Sequence, residues 1–226
     1  VRVSEAADAL RVARSTAHRL LAMLVHAGFV RREPATRAYH VGPALVELAL
    51  AVVAEVDLRA AIRPHLEALV AETGETAHLV ALRGTDVVFL DGVESSKALR
   101  AGSRTGSALP AHATSGGKAL LAALPDETLR ALLPSERLTP VTARTVRNRS
   151  ALFAELRRVR ERGYAANVDE SEAGLTAYAC VVRGRGGQIR VALTIAGPTA
   201  RMGGAGRTRI VRALRDAAAE AGSVIL

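Results

Sequence analysis

The stretch ARSTAHRLLAMLVHAGFVRRE, residues 13–33, constrains the chain more than any other. Ala17, Leu20, Leu21, Leu24 and Ala27 recur on one stripe of a 3.6-residue period, while Ser15, His18, Arg19 and His26 fall on other faces. This spacing predicts an amphipathic helix with Leu20, Leu21 and Leu24 in a core, ended by Gly28. FVRRE, PATR and AYHV then read as strand, turn and strand. Upstream, SEAADALRV predicts a shorter helix N-capped by Ser4, and only residues 10–13 separate the two helices. Two helices on a tight turn, the second polar at its start and followed by a hairpin, make a winged helix-turn-helix. In that arrangement the second helix enters the DNA major groove N-terminal end first. Taken alone, the helix also reads as a solvated amphipathic helix; the hairpin directly behind it favours DNA. The chain starts at the first helix of this motif and without Met, so a further helix completing a three-helix core is expected ahead of it.

Charge agrees with a phosphate-binding front. The first 40 residues carry seven Arg against three acidic residues, a net +4, and the other 186 carry +5 of the total +9. Three Phe, three Tyr and no Trp argue against base stacking on single strands. No run of 18 apolar residues predicts a membrane span. The single cysteine, Cys180, has no partner for an internal disulfide, and no Cys/His group has zinc spacing. A cytoplasmic protein with no metal, no cofactor and no membrane partner is the expectation.

Beyond the hairpin, Leu45, Leu48, Ala49, Val52 and Val56 give an apolar helical face beginning near Pro43, and a second helix is expected over residues 58–73. Alternation then takes over. ETAHLVALR and VVFLDGVE read as paired strands, KALRAG as a third, and LTAYACVVR and QIRVALTIAG as a strong hairpin. Helices are expected at 118–123, 126–133, 150–163 and through TRIVRALRDAAAEAG. The order predicts an α+β domain on a mostly antiparallel sheet, able to hold a small ligand between sheet and loops.

Four groups of residues, in this order and spacing, resemble the IclR family of bacterial transcription regulators along essentially the whole chain. They are RSTAHRLLAMLVHAGFVRRE with YHVG; LPAHATSGGKALLA; LTPVT with RERGYAANVDESEAGL; and ALTIAGP. The resemblance implies a winged helix-turn-helix DNA-binding domain at 1–42, a linker helix at 43–56 and an effector-binding, GAF-like domain at 57–226. It implies homodimers or dimers of dimers on double-stranded promoter DNA, repressing or activating in response to a small molecule such as a carboxylate or an aromatic metabolite. On the recognition helix, 14–27, it places Arg14 and Arg19 against bases or phosphates, Ser15 and Thr16 at the backbone, and His18 beside them. Arg31, Arg32 and Arg37 of the wing then lie near phosphates. The effector positions it implies are Leu109, Ser115, Gly116, Asn167, Leu175, Ala177, Thr194 and Ala196. Ala177 stands where many members have Cys, and Val181 where many have Pro. A less polar pocket and a larger or more hydrophobic effector are therefore expected.

Other readings fit less well. TSGGK lacks the spacing of a phosphate loop, with His112 and Ala119 at the required Gly and Ser/Thr positions, although its glycines could serve a carboxylate or simply a tight entry into a helix. A hydrolytic or other metabolite-binding enzyme using His112, Ser115, Asp169 and Cys180 is the rival, but no G-x-S-x-G elbow is present, and His112 more naturally fixes its own loop. A basic module for protein or membrane surfaces would need a solvated charge run, which the compact motif does not provide.

Overall fold

The computed structural model describes residues 1–224, and the side chains of all of these except 49–57, 190 and 224. It divides into two units, Val1–Asp57 and Leu58–Leu226.

In the first unit, α1 (Val3–Leu10) leads through Arg11, in the left-handed region at φ 54°, into α2 (Arg14–His26). The left-handed residue lets the Arg11 N–H turn back to the Asp8 carbonyl, which makes the inter-helix turn tight. Helix α1 begins one residue before Ser4; its first orphan amide is met by Glu5, whose carboxylate accepts from the Arg2 N–H at 2.8 Å. Gly28, at φ 74°, ends α2 and turns the chain into β1 (Val30–Arg32) and β2 (Tyr39–Val41), paired antiparallel. Ala7, Ala17, Leu21 and Tyr39 form the buried centre. Leu20 and Leu24 do not join it: they are 40% and 41% exposed, because α1 and the hairpin cover only the Ala17–Leu21 side of the stripe and nothing among the described residues covers the next.

The chain expected to form two helices between residues 43 and 73 forms one, α3 (Pro43–Thr73). No Gly or Pro lies between Ala44 and Arg63 to stop it, and Pro64 is absorbed inside the helix at the loss of one backbone hydrogen bond. Of its expected apolar face, Leu45 and Leu48 are exposed; the side chains of Ala49, Val52 and Val56 lie outside the described residues.

The second unit is built on a six-stranded antiparallel sheet in the order β5-β4-β3-β8-β7-β6. Its strands are β3 (Thr76–Arg83), β4 (Asp86–Val93), β5 (Ala108–Pro110), β6 (Ala165–Val168), β7 (Leu175–Arg183) and β8 (Ile189–Pro198). Period-2 alternation sends Leu79, Cys180, Leu193 and Ile195 to one face, where Ile62, Leu66 and Leu69 of α3 and Ile210 and Leu214 of α7 (Gly204–Val224) pack on them. Val80, Phe89, Ala179 and Ala192 go to the other, beneath α4 (Ser115–Ala122), α5 (Asp126–Leu132) and α6 (Arg149–Arg162). The domain is α+β, as expected. KALRAG is not a strand: β4 pairs instead with Ala108–Pro110, and residues 94–107 form a loop along that edge. Conversely, residues 165–168, outside the strands expected above, are the edge strand β6.

Candidate DNA-binding surface and effector cavity

Helix α2 carries its polar N-terminal residues outward. Arg14, Ser15, His18 and Arg19 are exposed and Thr16 is half-buried, all within two turns of the helix start. There the unpaired amides give the helix a positive end suited to phosphate. On the hairpin, Arg31 pairs across the strands with His40, while Arg32 lies over the buried Tyr39 ring at 5.8 Å, its exposed guanidinium held by a cation–π contact. Arg37 sits at the hairpin tip at φ 57°. The hairpin turn is closed by Glu33, which accepts from Thr36 at 2.5 Å.

In the second unit, all eight expected effector positions line one cavity of 340 Å³, within the size range of small-molecule sites. Its floor is the β3–β8–β7 part of the sheet, through His78, Thr194 and Ala177. Its walls are the start of α4, the loop 94–107, and the end of β6 with the loop 169–174. The glycines of TSGGK now have a steric explanation. A Cβ on Gly116 would lie 2.5 Å from Val80 Cγ2, and one on Gly117 would lie 2.2 Å from the Ala111 carbonyl oxygen, so only glycine lets α4 start this close to the sheet at 116 and to the preceding turn at 117. Thr114 caps α4, its hydroxyl accepting from the Gly117 N–H at 3.0 Å. Ser115 and Gly116 are the first two residues of α4, where amides lack an intrahelical carbonyl, and both edge the cavity.

Asn167 lines the cavity but spends its polar atoms on its own loop. Its Nδ2 donates to Ser171 at 2.6 Å, and its Oδ1 accepts from the Glu170 N–H at 2.8 Å. That loop is held by a buried ion pair between Lys118 Nζ and Glu170 Oε1 at 2.6 Å, and by Thr142 and Thr145, which donate to its carbonyls. At the rim, Arg104 bonds Glu172 and so joins the two wall loops, while Arg100 pairs with Glu94 at 2.8 Å. Several of the cavity's polar side chains, His78, Arg100, Arg104, Ser171 and Glu172, lie at positions that sequence reading had passed over. For His78 the available signal is a lone histidine in a strand that alternates apolar residues; for the arginines there is none, since Arg100 lies in the stretch read as a strand and Arg104 just beyond it.

The hydrolase constellation is not assembled. Cys180 points to the opposite face of the sheet from Ser115, and burial pushes its thiol up to about 11. His112 donates from Nε2 to the Thr139 carbonyl at 3.0 Å, fixing its loop, and Asp169 accepts from Gly174 N and Thr199 Oγ1. Among the described residues no group of His, Cys, Asp and Glu could hold a metal ion, and no helix is long and apolar enough to cross a membrane.

A helix-turn-helix with an exposed polar recognition face, in one chain with a domain enclosing a metabolite-sized cavity, defines a ligand-responsive DNA-binding transcriptional regulator. The family model described as bacterial transcriptional regulator IclR C-terminal matches residues 50–222, and that of the IclR helix-turn-helix domain matches residues 1–34. The chain belongs to the IclR family, and like its relatives it is a regulator and not an enzyme. It is 34% identical to the HTH-type transcriptional regulator XynR of Escherichia coli K12 over 202 residues, 89% of this chain and 80% of that protein. Among solved structures it resembles the Thermotoga maritima IclR, with a TM-score of 0.71 and 29% identity over 98% of this chain and 90% of the other. It also resembles an IclR homolog of Microbacterium hydrocarbonoxydans complexed with 4-hydroxybenzoate, with a TM-score of 0.69 and 28% identity over 98% and 89% of the two chains.

Proposed function

We propose that this protein is a cytoplasmic, homodimeric regulator that reads two half-sites of promoter DNA with paired α2 helices and changes its occupancy when an organic acid enters the 340 Å³ cavity. The carrying observation is the exposed Arg14–Arg19 face at the N-terminal end of α2, followed at once by a basic hairpin. Arg14 and Arg19 contact bases or phosphates, Ser15 and Thr16 the backbone, and Arg31, Arg32 and Arg37 flanking phosphates. The two successive half-sites of an operator require two copies of the helix, hence the dimer; DNA-binding domain, linker and effector domain are assigned to 1–42, 43–56 and 57–226. In the cavity, the carboxylate lies against the Ser115 and Gly116 amides, and Leu109, Leu175, Ala177, Thr194 and Ala196 surround its body, with Asn167 holding the wall. An acid as effector is also in keeping with the 4-hydroxybenzoate complex of the Microbacterium relative. A coupling of about 1–3 kcal/mol between the two sites shifts operator occupancy roughly five- to 150-fold.

Titration of the full-length regulator against DNA from upstream of its own gene, with excess unrelated DNA, tests this reading. Binding is expected to be selective and to weaken steeply with salt as phosphate counterions are released. Arg19→Ala is expected to weaken operator binding about tenfold or more. Its unfolding midpoint stays the same, because the Arg19 side chain is exposed. Unchanged affinity at fixed salt removes Arg19 from the interface, and equal binding to all DNA rejects sequence-specific reading.

A further inference from the structure

His78 is a buried polar side chain whose ring nitrogens make no hydrogen bond of normal geometry, the Gly102 carbonyl being near enough only to pull weakly on its pKa. It stands in the middle of β3, is 2% exposed and lines the cavity, and neither ring nitrogen has a hydrogen-bond partner. Leaving a buried polar group unpaired is costly, and an apolar side chain would fill the place without that cost. The ring is also held in place. It packs edge-to-face on Phe89 at 5.2 Å, and its Cδ2 edge lies so close to Gly92 that a Cβ there would stand 2.8 Å from it. Burial, helped by the nearby Arg104 charge, pulls its pKa down to about 4, so at neutral pH the ring is uncharged, with one donor and one acceptor nitrogen. A hydroxyl satisfies either tautomer, since it donates to a bare nitrogen and accepts from an N–H, whereas a carbonyl or carboxylate pairs only with the N–H.

The opposite requirement lies elsewhere in the same space. The Ser115 and Gly116 amides and the Arg104 guanidinium favour an anion, and among the described residues Arg104 pairs with Glu172 alone. Between the two poles the lining is apolar, with Val80, Phe89, Leu175 and Ala177.

We propose that His78 selects the effector by hydrogen-bonding a hydroxyl group on it, so that the cavity takes a hydroxy acid. The carboxylate lies at the Ser115–Gly116 end beside Arg104, and the hydroxyl lies on the His78 ring. This rests on the effector reading above and names the chemistry that the cavity discriminates.

The test compares matched probes on the full-length protein by calorimetry and thermal unfolding: 3- and 4-hydroxybenzoate against benzoate, and 3-hydroxybutyrate against butyrate. At least one hydroxy acid is expected to bind about tenfold more tightly than its deoxy partner, the effect of one buried hydrogen bond. His78→Leu brings the pair to within about twofold, whereas His78→Gln, which keeps a donor and an acceptor, retains part of the preference. In protein labelled with ¹⁵N-histidine, the His78 ring nitrogens shift with the hydroxy acid and not with the deoxy acid. Equal binding within every pair, or a preference that survives His78→Leu, overturns the role of His78 and leaves the acid-binding cavity standing. If no acid binds or changes operator affinity, the effector reading falls and the role of His78 with it.

Discussion

Replacing Lys118 with methionine is expected to lower the unfolding free energy by about 3–5 kcal/mol, the cost of stranding one member of a buried ion pair. Lys118 is 1% exposed in the centre of α4, and among the described residues its charge partner is Glu170, at 2.6 Å, whose side chain is 13% exposed and whose second carboxylate oxygen is buried without a partner. Methionine matches the lysine stem in length but offers the carboxylate nothing. Glu170→Gln is expected to cost a similar amount, because it leaves the ammonium buried. The double change Lys118→Met with Glu170→Leu is expected to recover much of the loss, since apolar pairs often replace buried ion pairs without penalty. Urea unfolding followed by far-UV circular dichroism measures all three. A loss below about 1 kcal/mol for Lys118→Met would assign the pair the small value of a solvated surface bridge. The function follows the loop: Glu170 fixes the segment that carries Asn167, Ser171 and Glu172 into the cavity wall, so the single variants should also bind effector more weakly.

Lys118 also shows where sequence reading stops. In TSGGK it stands beside two glycines and suggests no more than the phosphate loop set aside above; its partner lies 52 residues further on, and only the folded loop brings the two together. What lies within one element was legible. The alternation of β3, β4, β7 and β8, the glycine at the end of α2, the amphipathic α6 and the eight cavity positions all follow from patterns of a few residues, or from the resemblance those patterns support. What depends on a partner was not. Leu20 and Leu24 carry the right spacing for a core, but burial needs a covering element, and none of the described residues supplies it. KALRAG has a strand's composition, yet the free edge of β4 is taken by Ala108–Pro110, and residues 97–102 are tied instead into a loop anchored by Glu75, which accepts from Lys97 and Arg201. The helix break near Asp57 was expected from composition, and the backbone, with no Gly or Pro there, runs straight through it.

Between pH 6.5 and pH 4 the wild-type protein is expected to lose about 3 kcal/mol more stability than His78→Leu, each pKa unit being worth about 1.4 kcal/mol. The sign follows from the direction of the shift. Burial first, and the Arg104 charge second, lower His78 from 6.5 to about 4 in the folded protein, against the smaller opposing pull of the Gly102 carbonyl, Glu94 and Asp91. In that window the unfolded chain takes up a proton that the folded chain refuses, so stability falls as the pH falls. Well above 6.5, from about pH 7.5 upward, both states are neutral at this residue, and the difference between the proteins no longer depends on pH. Paired denaturation curves at pH 7, 6, 5 and 4 give the result, because titrating groups common to both proteins cancel in the difference. A constant difference across the series would mean that the ring is solvated or charged in the folded state, and a neutral reader of a hydroxyl would then be untenable. The predicted slope connects stability with function: the burial that makes His78 costly in acid keeps it neutral at physiological pH, with one donor and one acceptor nitrogen on a ring that lines the cavity.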